Sequence, residues 1–414
     1  MIKLTGAVNL MPRSPTMIRV NPQVFFWLID KSGWKLSEIA DEIDTEESEI
    51  STWKAKSDNI VIPISKVETL SKLIKRPLSA FFLPEPPADL KLPKDFRKIP
   101  DTSRGETPAF ARETLLAFRK ASHLQDVSQN LLKNLNAPIL SIIPKNSLSN
   151  NPETIGAAER EKTGFTIEMQ TGLPHPTAMF EVLRDWLGRQ EIYVFQYDFP
   201  IEDARGFVLI DSDPKVIVIS KKDAIRGKIF TLIHEYAHIL LRESAICNLD
   251  SDNSSDAEIA KIENWCNRFA ASFLFPKDKA NEEFAGYNPA KEDFLKFLER
   301  LSKKYKLSSS SLLVRFRFLD KIDYPFYITT KERIESIFRA DKTKAKEERA
   351  ALKAKGLEVS FAPNKPKEIS IYDDRGPNFV DLVLENSNKG YITERDVMDI
   401  LELKVNHLVK LLPP

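Results

Sequence analysis

Apolar residues recur at helical spacing along most of the chain, and short apolar runs of strand length interrupt this pattern in the middle. Residues 21 to 83 contain successive amphipathic stretches, which predict a compact helical bundle, and residues 109 to 135 predict one long helix. The central part predicts helices and strands together, with helices around 153 to 163 and 175 to 189, strands around 191 to 197, 206 to 210 and 215 to 220, and a further helix from Ala224. The order of elements indicates an α+β protein with an all-α N-terminal module.

Helical spacing continues to the end of the chain. Helices are predicted at 291 to 305 and at 309 to 320, where Ser308 is a suitable N-cap. Residues 331 to 355 hold nine basic and five acidic side chains, a composition typical of a solvated helix. After prolines at 363 and 366, a small helical region follows, and Thr393 with Asp396 fits a capped helix start.

Proline marks the main boundary of the chain, with six prolines between residues 84 and 108 that indicate an extended linker. The expected divisions are a tail, a helix-turn-helix module, a linker with a long helix, a domain with a sheet, and a charged helix followed by a helical C-terminal module. Their bounds are 1–20, 21–83, 84–151, 152–325 and 326–414.

Composition favours an ordinary globular protein of several domains, with 42% apolar and 29% charged residues in a length of 414. Cys247 and Cys266 form no CxxC pair, so a reducing compartment fits better than a disulfide framework. The Met1 to Pro15 segment has no apolar core long enough for a signal peptide, and no run approaches membrane-spanning length. We therefore expect a cytoplasmic protein that does not bind membranes.

Two of the five histidines, His234 and His238, stand four positions apart in the apolar run from Phe230 to Arg242. On a helix they project from one face a single turn apart, so both rings can reach one tetrahedral metal ion. Glu235 follows the first histidine and can take a proton from a water that the metal activates. This His-Glu-x-x-His pattern predicts one zinc ion per chain, against the alternative of a core helix with two hydrogen-bonded histidines.

A third protein ligand must come from outside this helix. The candidates are Glu243, Cys247, Asp250, Asp252, Asp256, Glu258, Glu263 and Cys266. Residues from Ile259 to Pro276 predict a second amphipathic helix, and Glu263 falls on its apolar side, where a carboxylate needs a cation. Glu263 is therefore the preferred ligand. Cys266 is the competitor, although a lone helix cysteine is more often a small core residue.

The stretch from Phe230 to Leu241, followed by Glu263 to Pro276, resembles the ImmA/IrrE family of metallopeptidases. The resemblance implies a zincin-like domain in which His234, His238 and Glu263 bind zinc, the ligand set of gluzincin-type enzymes, and Glu235 is the general base. Arg205 to Phe207 and the run from Val216 to Ser220 resemble the short hairpin that precedes the family's active-site helix. Cys266 departs from the family, where alanine is more usual.

Leu36 to Ala40 and Ile50 to Trp53 resemble the repressor-like XRE helix-turn-helix module. The resemblance places its third helix in the DNA major groove, with Ser48, Ser51, Thr52 and Lys54 among the groove-facing residues. Residues 21 to 60 nevertheless carry nine acidic side chains against four lysines, and phosphates repel such a surface. Binding to operator DNA and docking of a protein are both open.

The resemblance implies a zinc-dependent endopeptidase with a regulatory role, whose substrate is a helix-turn-helix repressor or an antitoxin-like protein. One alternative is a DNA-binding transcriptional regulator whose zinc domain senses a ligand or partner without cleaving. Another is the toxin-like component of a toxin-antitoxin pair. Tyr236, Tyr287 and Tyr305 are candidates for the group that stabilises the oxyanion in catalysis.

Overall fold

The structure is a computed structural model that describes residues 15–54, 56, 58–87, 110–137, 145–242, 246–247, 257–354 and 365–411. The chain forms two compact units. The first contains Met1–Lys91 with Pro108–Arg119, and the second contains Leu92–Thr107 with Lys120–Pro414. Most of the expected tail and linker lies outside the described residues.

The first unit is a helical bundle with one small sheet. Its elements are β1 (Met17–Val20), α1 (Pro22–Asp30), α2 (Leu36–Glu42), α3 (Glu47–Lys54), β2 (Ile60–Pro63), α4 (Ile64–Leu73) and a 3-10 helix (Leu78–Phe82). Phe25 lies at the centre of the core, where its ring contacts those of Trp53 and Phe81. The predicted helices are confirmed.

The prediction of an all-α module with a tail up to residue 20 is wrong, because β1 pairs antiparallel with β2. Val20 lies opposite Ile60 in this ladder, and both side chains are buried. Each strand has only four residues. The alternation of buried and exposed side chains in β2 cannot be predicted from the sequence, because the exposed Val61 is as apolar as its buried neighbours.

The long helix α5 (Arg112–Asn134) has its first residues in the first unit and the rest in the second. In the first unit, the Arg112 guanidinium stacks on Trp34, 3.7 Å from the ring centre. In the second unit, the Gln125 side-chain amide donates hydrogen bonds to the carbonyl groups of Leu209, Ser212 and Pro214. These bonds hold the turn of a β-hairpin beside the helix.

The second unit continues with helices around a small sheet. Its elements up to residue 354 are α6 (Pro152–Thr163), α7 (Ile167–Gly172), α8 (Pro176–Gly188), β3 (Ile192–Tyr197), β4 (Gly206–Leu209), β5 (Lys215–Ser220), α9 (Ile225–Leu241), β6 (Ile246–Cys247), α10 (Ala257–Leu274), α11 (Lys277–Ala285), α12 (Phe294–Tyr305), α13 (Ser309–Phe318) and α14 (Tyr324–Ala354). The helices and strands predicted here are confirmed within a few residues, except that α14 begins seven residues before the predicted charged helix. The Ser308 hydroxyl caps α13. The short elements α7, α11 and β6 were not predicted.

The sheet has the strand order β3-β5-β4-β6. Strand β3 is parallel to β5, whereas β4 is antiparallel to both β5 and β6. Strands β4 and β5 thus form the hairpin that was predicted before the helix with His234 and His238. Helix α9 packs against these two strands, and α10 packs against α9 and α6. This packing places α9 and α10, the two helices that carry candidate metal ligands, next to each other.

The C-terminal helices share a core with the sheet. They are α15 (Lys367–Arg375), α16 (Pro377–Asn388), α17 (Glu394–Leu401) and α18 (Val405–Leu411). Phe379 packs edge-on against the rings of Tyr193 and Phe195 on β3. The predicted capped helix start is confirmed, because Thr393 and Asp396 form a capping box at the start of α17. In the described residues no helix is long and apolar enough to cross a membrane.

Candidate metal centre

Helix α9 runs through the core of the second unit. Every side chain from Ile229 to Leu241 is buried, which fits a helix that is apolar all round. The helix ends at Arg242, whose left-handed backbone (φ 55°) stops it four residues after His238. His234, Glu235 and His238 are fully buried within it. Polar side chains in such a place need partners, because burial without them is costly.

Helix α10 supplies Glu263 to the same point. Its carboxylate oxygens lie 3.2 Å from Nε2 of His234 and 3.3 Å from Nε2 of His238. The two Nε2 atoms are 3.1 Å apart. The structure therefore brings together the three residues that the sequence predicted as ligands, although they come from helices separated in the chain.

These separations fit a zinc ion. Zinc binds imidazole nitrogen and carboxylate oxygen at about 2.0–2.1 Å, so two ligand atoms of a tetrahedral site are about 3.3–3.4 Å apart. The two imidazole nitrogens here are 3.1 Å apart, and they lie 3.2 and 3.3 Å from Oε2 and Oε1 of Glu263, respectively. Moreover, Glu263 is only 3% exposed, and among the described residues its carboxylate oxygens have no polar partner besides the two imidazoles. A cation between the three donors would satisfy this buried carboxylate.

Burial and mutual contact shift the pKa values of the donors. Burial lowers the pKa of His234. Interactions with Glu263 and with the side chain of Asn267 raise this pKa, but they offset only part of the effect of burial. Burial by itself would raise the pKa of Glu263, but the two adjacent imidazoles lower it well below the usual range. A neutral imidazole and an ionised carboxylate are the forms that bind zinc. Asn267 follows Glu263 by one helical turn and was not predicted as a site residue.

Cys266 also lies at this centre. It is fully buried one turn after Glu263, and its Sγ and nitrogens of the two imidazoles all lie within 4.8 Å of one another. Burial raises the pKa of the thiol to about 11, an effect that His238 opposes. Cys266 is thus more than a small core residue, and its position next to the imidazoles is a feature of the site.

The other candidate ligands differ in their placement. Glu258 is exposed in the first turn of α10, where an acidic side chain favours the helix dipole. Glu243, Asp250, Asp252 and Asp256 lie outside the described residues, as does the side chain of Cys247. Among the described candidates, Glu263 and Cys266 therefore lie next to the two histidines.

Strand β4 passes directly beside Glu235. A Cβ atom at Gly206 would lie 2.7 Å from Cγ2 of Thr231, 2.9 Å from the Val218 carbonyl oxygen and 3.0 Å from Oε1 of Glu235. Only glycine allows the strand and the helix to approach this closely. Gly206 was predicted as part of a hairpin but not as a residue of the site.

Residues 187–317 match the peptidase M78 family model, described as an IrrE N-terminal-like domain. This region includes the whole sheet, α9 and α10, and therefore His234, Glu235, His238 and Glu263. The match supports a metallopeptidase-like domain in this part of the chain. A comparison with curated proteins found no match.

Two of the tyrosines considered for oxyanion stabilisation bind other carboxylates. The Tyr236 hydroxyl donates to Oε2 of Glu159 at 2.8 Å, and the Tyr305 hydroxyl donates to Oε1 of Glu283 at 2.6 Å. Tyr287 packs among aromatic rings, including that of Phe297. These contacts do not identify any one of the three tyrosines as the group that stabilises the oxyanion.

The predicted DNA-facing residues Ser48, Ser51, Thr52 and Lys54 are all exposed on α3. The hydroxyls of Ser51 and Thr52 donate to the carbonyl groups of Glu47 and Glu49 in the same helix. The Lys54 ammonium lies 5.8 Å from the ring centre of Phe26. Their exposure is compatible with contact to a groove or to a protein.

Proposed function

We propose that this chain is a zinc-dependent endopeptidase with a regulatory role. In this proposal His234, His238 and Glu263 hold one zinc ion, and Glu235 is the general base. The observation that carries it is the convergence of the three donors at 3.1 to 3.3 Å inside a region that matches a metallopeptidase family. A core helix with ordinary histidines gives no reason for a buried carboxylate to face both rings.

A bound zinc ion would supply Lewis-acid activation of a water and of the peptide carbonyl. Glu235 then accepts the proton of the attacking water on a carboxylate oxygen and delivers it to the amide nitrogen of the leaving peptide. It follows His234 directly in α9, so a rigid helical backbone fixes it relative to the two histidines. Gly206 keeps β4 close to this carboxylate and thereby limits the space around it.

An extended substrate can be recognised by strand addition. Strand β6 is the edge strand of the described sheet on this side, and it pairs with β4 at Gly206 and Phe207, next to Glu235. A peptide that adds to the sheet beyond β6 would be held mainly through its backbone, with side-chain pockets adding specificity. The substrate class that we propose is a helix-turn-helix repressor or an antitoxin-like protein, on the resemblance of residues 230–276 to the ImmA/IrrE family.

The test is to incubate the purified zinc-loaded protein with lysate of its own host cells and to identify newly formed peptide termini. Glu235→Gln is the matched control, because it preserves the size and burial of the side chain. We expect termini that appear with the unmodified protein and are absent with the control. Equal sets of termini from the two proteins would contradict the proposed peptidase activity.

A second candidate function is a DNA-binding regulator whose zinc domain senses a ligand without cleaving. The observation in its favour is the exposure of Ser48, Ser51, Thr52 and Lys54 along α3. It predicts zinc binding without new termini in the lysate experiment, together with selective binding of an operator. The peptidase proposal is preferred, since a sensing site has no need for the buried Glu235.

A further inference from the structure

The metal centre contains one more zinc-type donor than a catalytic site requires. A catalytic zinc usually has three protein ligands and leaves its fourth position to water or substrate, whereas a structural zinc has four protein ligands. His234, His238 and Glu263 provide three, and the Cys266 sulfur lies within 4.8 Å of the imidazole nitrogens. Thiolate is among the preferred donors of zinc.

The backbone places Cys266 where it can serve this position. Residues three apart in a helix lie on the same face, so Cys266 and Glu263 point from α10 toward the same two rings. A tetrahedral zinc would separate sulfur from an imidazole nitrogen by about 3.6 Å, given zinc distances of about 2.3 Å and 2.0–2.1 Å. A small side-chain movement is sufficient to reach that separation from the 4.8 Å limit.

Glu263 is better placed than Cys266 to be the permanent third ligand. Its two oxygens are already 3.2 and 3.3 Å from the imidazole nitrogens, and among the described residues they have no polar partner besides these imidazoles. The sulfur is therefore an additional donor. Glu235, His234, His238 and Cys266 are all fully buried.

We propose that Cys266 is a fourth, exchangeable zinc ligand that closes the centre in the resting protein. This inference rests on the proposed zinc site at His234, His238 and Glu263. In the closed state four protein side chains surround the metal, and the sulfur must leave before a water or a peptide carbonyl can take its position. Latency would then be a property of the metal centre itself.

Cobalt substitution of the full-length protein tests this coordination independently of catalysis. A cysteine bound to Co²⁺ gives a near-ultraviolet sulfur-to-metal absorption band, whereas nitrogen and oxygen ligands give only the weaker visible bands. We expect that band in the unmodified protein and its loss in Cys266→Ala, with the same cobalt content per chain in both. Cys266→Ser should lose it too, which gives a second replacement of similar size.

Two controls separate the possible outcomes. Cys247→Ser should retain the band, because it leaves the proposed sulfur ligand in place. Cobalt bound with no such band, or a band that survives in Cys266→Ala, would overturn the fourth-ligand inference and leave the proposed function standing. Loss of cobalt from Cys266→Ala but not from Glu263→Ala would also overturn it, because Cys266 would then be a permanent ligand. Failure of His234→Ala to reduce cobalt uptake would overturn the proposed metal site itself, and the inference with it.

Discussion

At the scale of single residues, α9 gives two chemical roles to neighbouring positions. His234 and His238 are one turn apart and share a face, which directs both rings to Glu263. Glu235 is adjacent to His234 in sequence but projects in a different direction, beside β4. The proposed ligands and the proposed base can therefore be distinguished by what each substitution does to the metal.

Alanine at His234, His238 or Glu263 should lower zinc content and thermal stability, since a metal that binds only the folded state stabilises it. Glu235→Gln should keep zinc and stability but reduce peptide cleavage by about a hundredfold or more. Metal analysis, thermal unfolding and cleavage of an identified substrate distinguish the ligand substitutions from the substitution of the proposed base. Loss of zinc from Glu235→Gln would contradict the division of roles.

At the scale of elements, the close contact between β4 and α9 shapes the site. A Cβ atom at Gly206 would come within 2.7 to 3.0 Å of Thr231, the Val218 carbonyl and Glu235. These neighbours belong to a strand and a helix in the core and cannot move away independently. The strand position is therefore coupled to the position of the proposed base.

Gly206→Ala should lower the free energy of unfolding by about 1–3 kcal/mol through overpacking. It should also reduce cleavage, because Glu235 must shift, while zinc content stays the same. Gly172→Ala is the matched control, since a Cβ there meets no atom within 4 Å. Wild-type stability and activity in Gly206→Ala would show that β4 tolerates displacement.

Helices α6 and α13 are joined by a partly buried ion pair. The two terminal nitrogens of Arg315 each lie 2.6 Å from an oxygen of Glu153, and its Nε donates to the Phe275 carbonyl. Burial alone would raise the pKa of Glu153, but hydrogen bonds and the charge of Arg315 outweigh it and lower the pKa. The ionised pair thus stabilises the frame that holds α10.

Glu153→Ala should reduce the free energy of unfolding by roughly 1–3 kcal/mol near neutral pH, because it leaves the buried Arg315 without its partly exposed carboxylate partner. Because the pKa of Glu153 is lowered in the folded protein, its ionised form stabilises the fold. This stabilisation is complete above the ordinary pKa of 4.5 and is lost as the pH falls through the pKa of the folded state. The difference between the two proteins should therefore shrink in acid. Urea unfolding at several pH values measures it, with the exposed Glu161→Ala as the control.

At the scale of the whole molecule, charge sets the conditions for any interaction with DNA. The net charge is only +1, and residues 21 to 60 contain nine acidic side chains against four lysines. Nonspecific attraction to phosphate should therefore be weak. Any DNA binding by the exposed face of α3 must depend on base contacts, which makes a sequence-selectivity experiment decisive.

If α3 reads an operator, replacing Ser48 and Thr52 by alanine should abolish selective binding without changing zinc content or proteolysis. The measurement compares the intact protein on its own promoter and on random duplex at a stated low salt concentration. Ser65→Ala, an exposed change on α4, is the control. Equal affinity of the intact protein for both duplexes would favour a protein-docking role for this module.

The sequence alone determined the features that depend on local spacing. Helix α9 and the caps at Ser308 and Thr393 follow from neighbouring residues, since periodicity and capping act within one or two turns. The sequence also selected Glu263, because a carboxylate on an apolar helix face needs a cation. Tertiary structure decided the pairing of β1 with β2, the approach of Gly206 to Glu235 and the proximity of the Cys266 sulfur to both imidazoles. These depend on contacts between segments far apart in the chain, for which no local pattern fixes distance or direction.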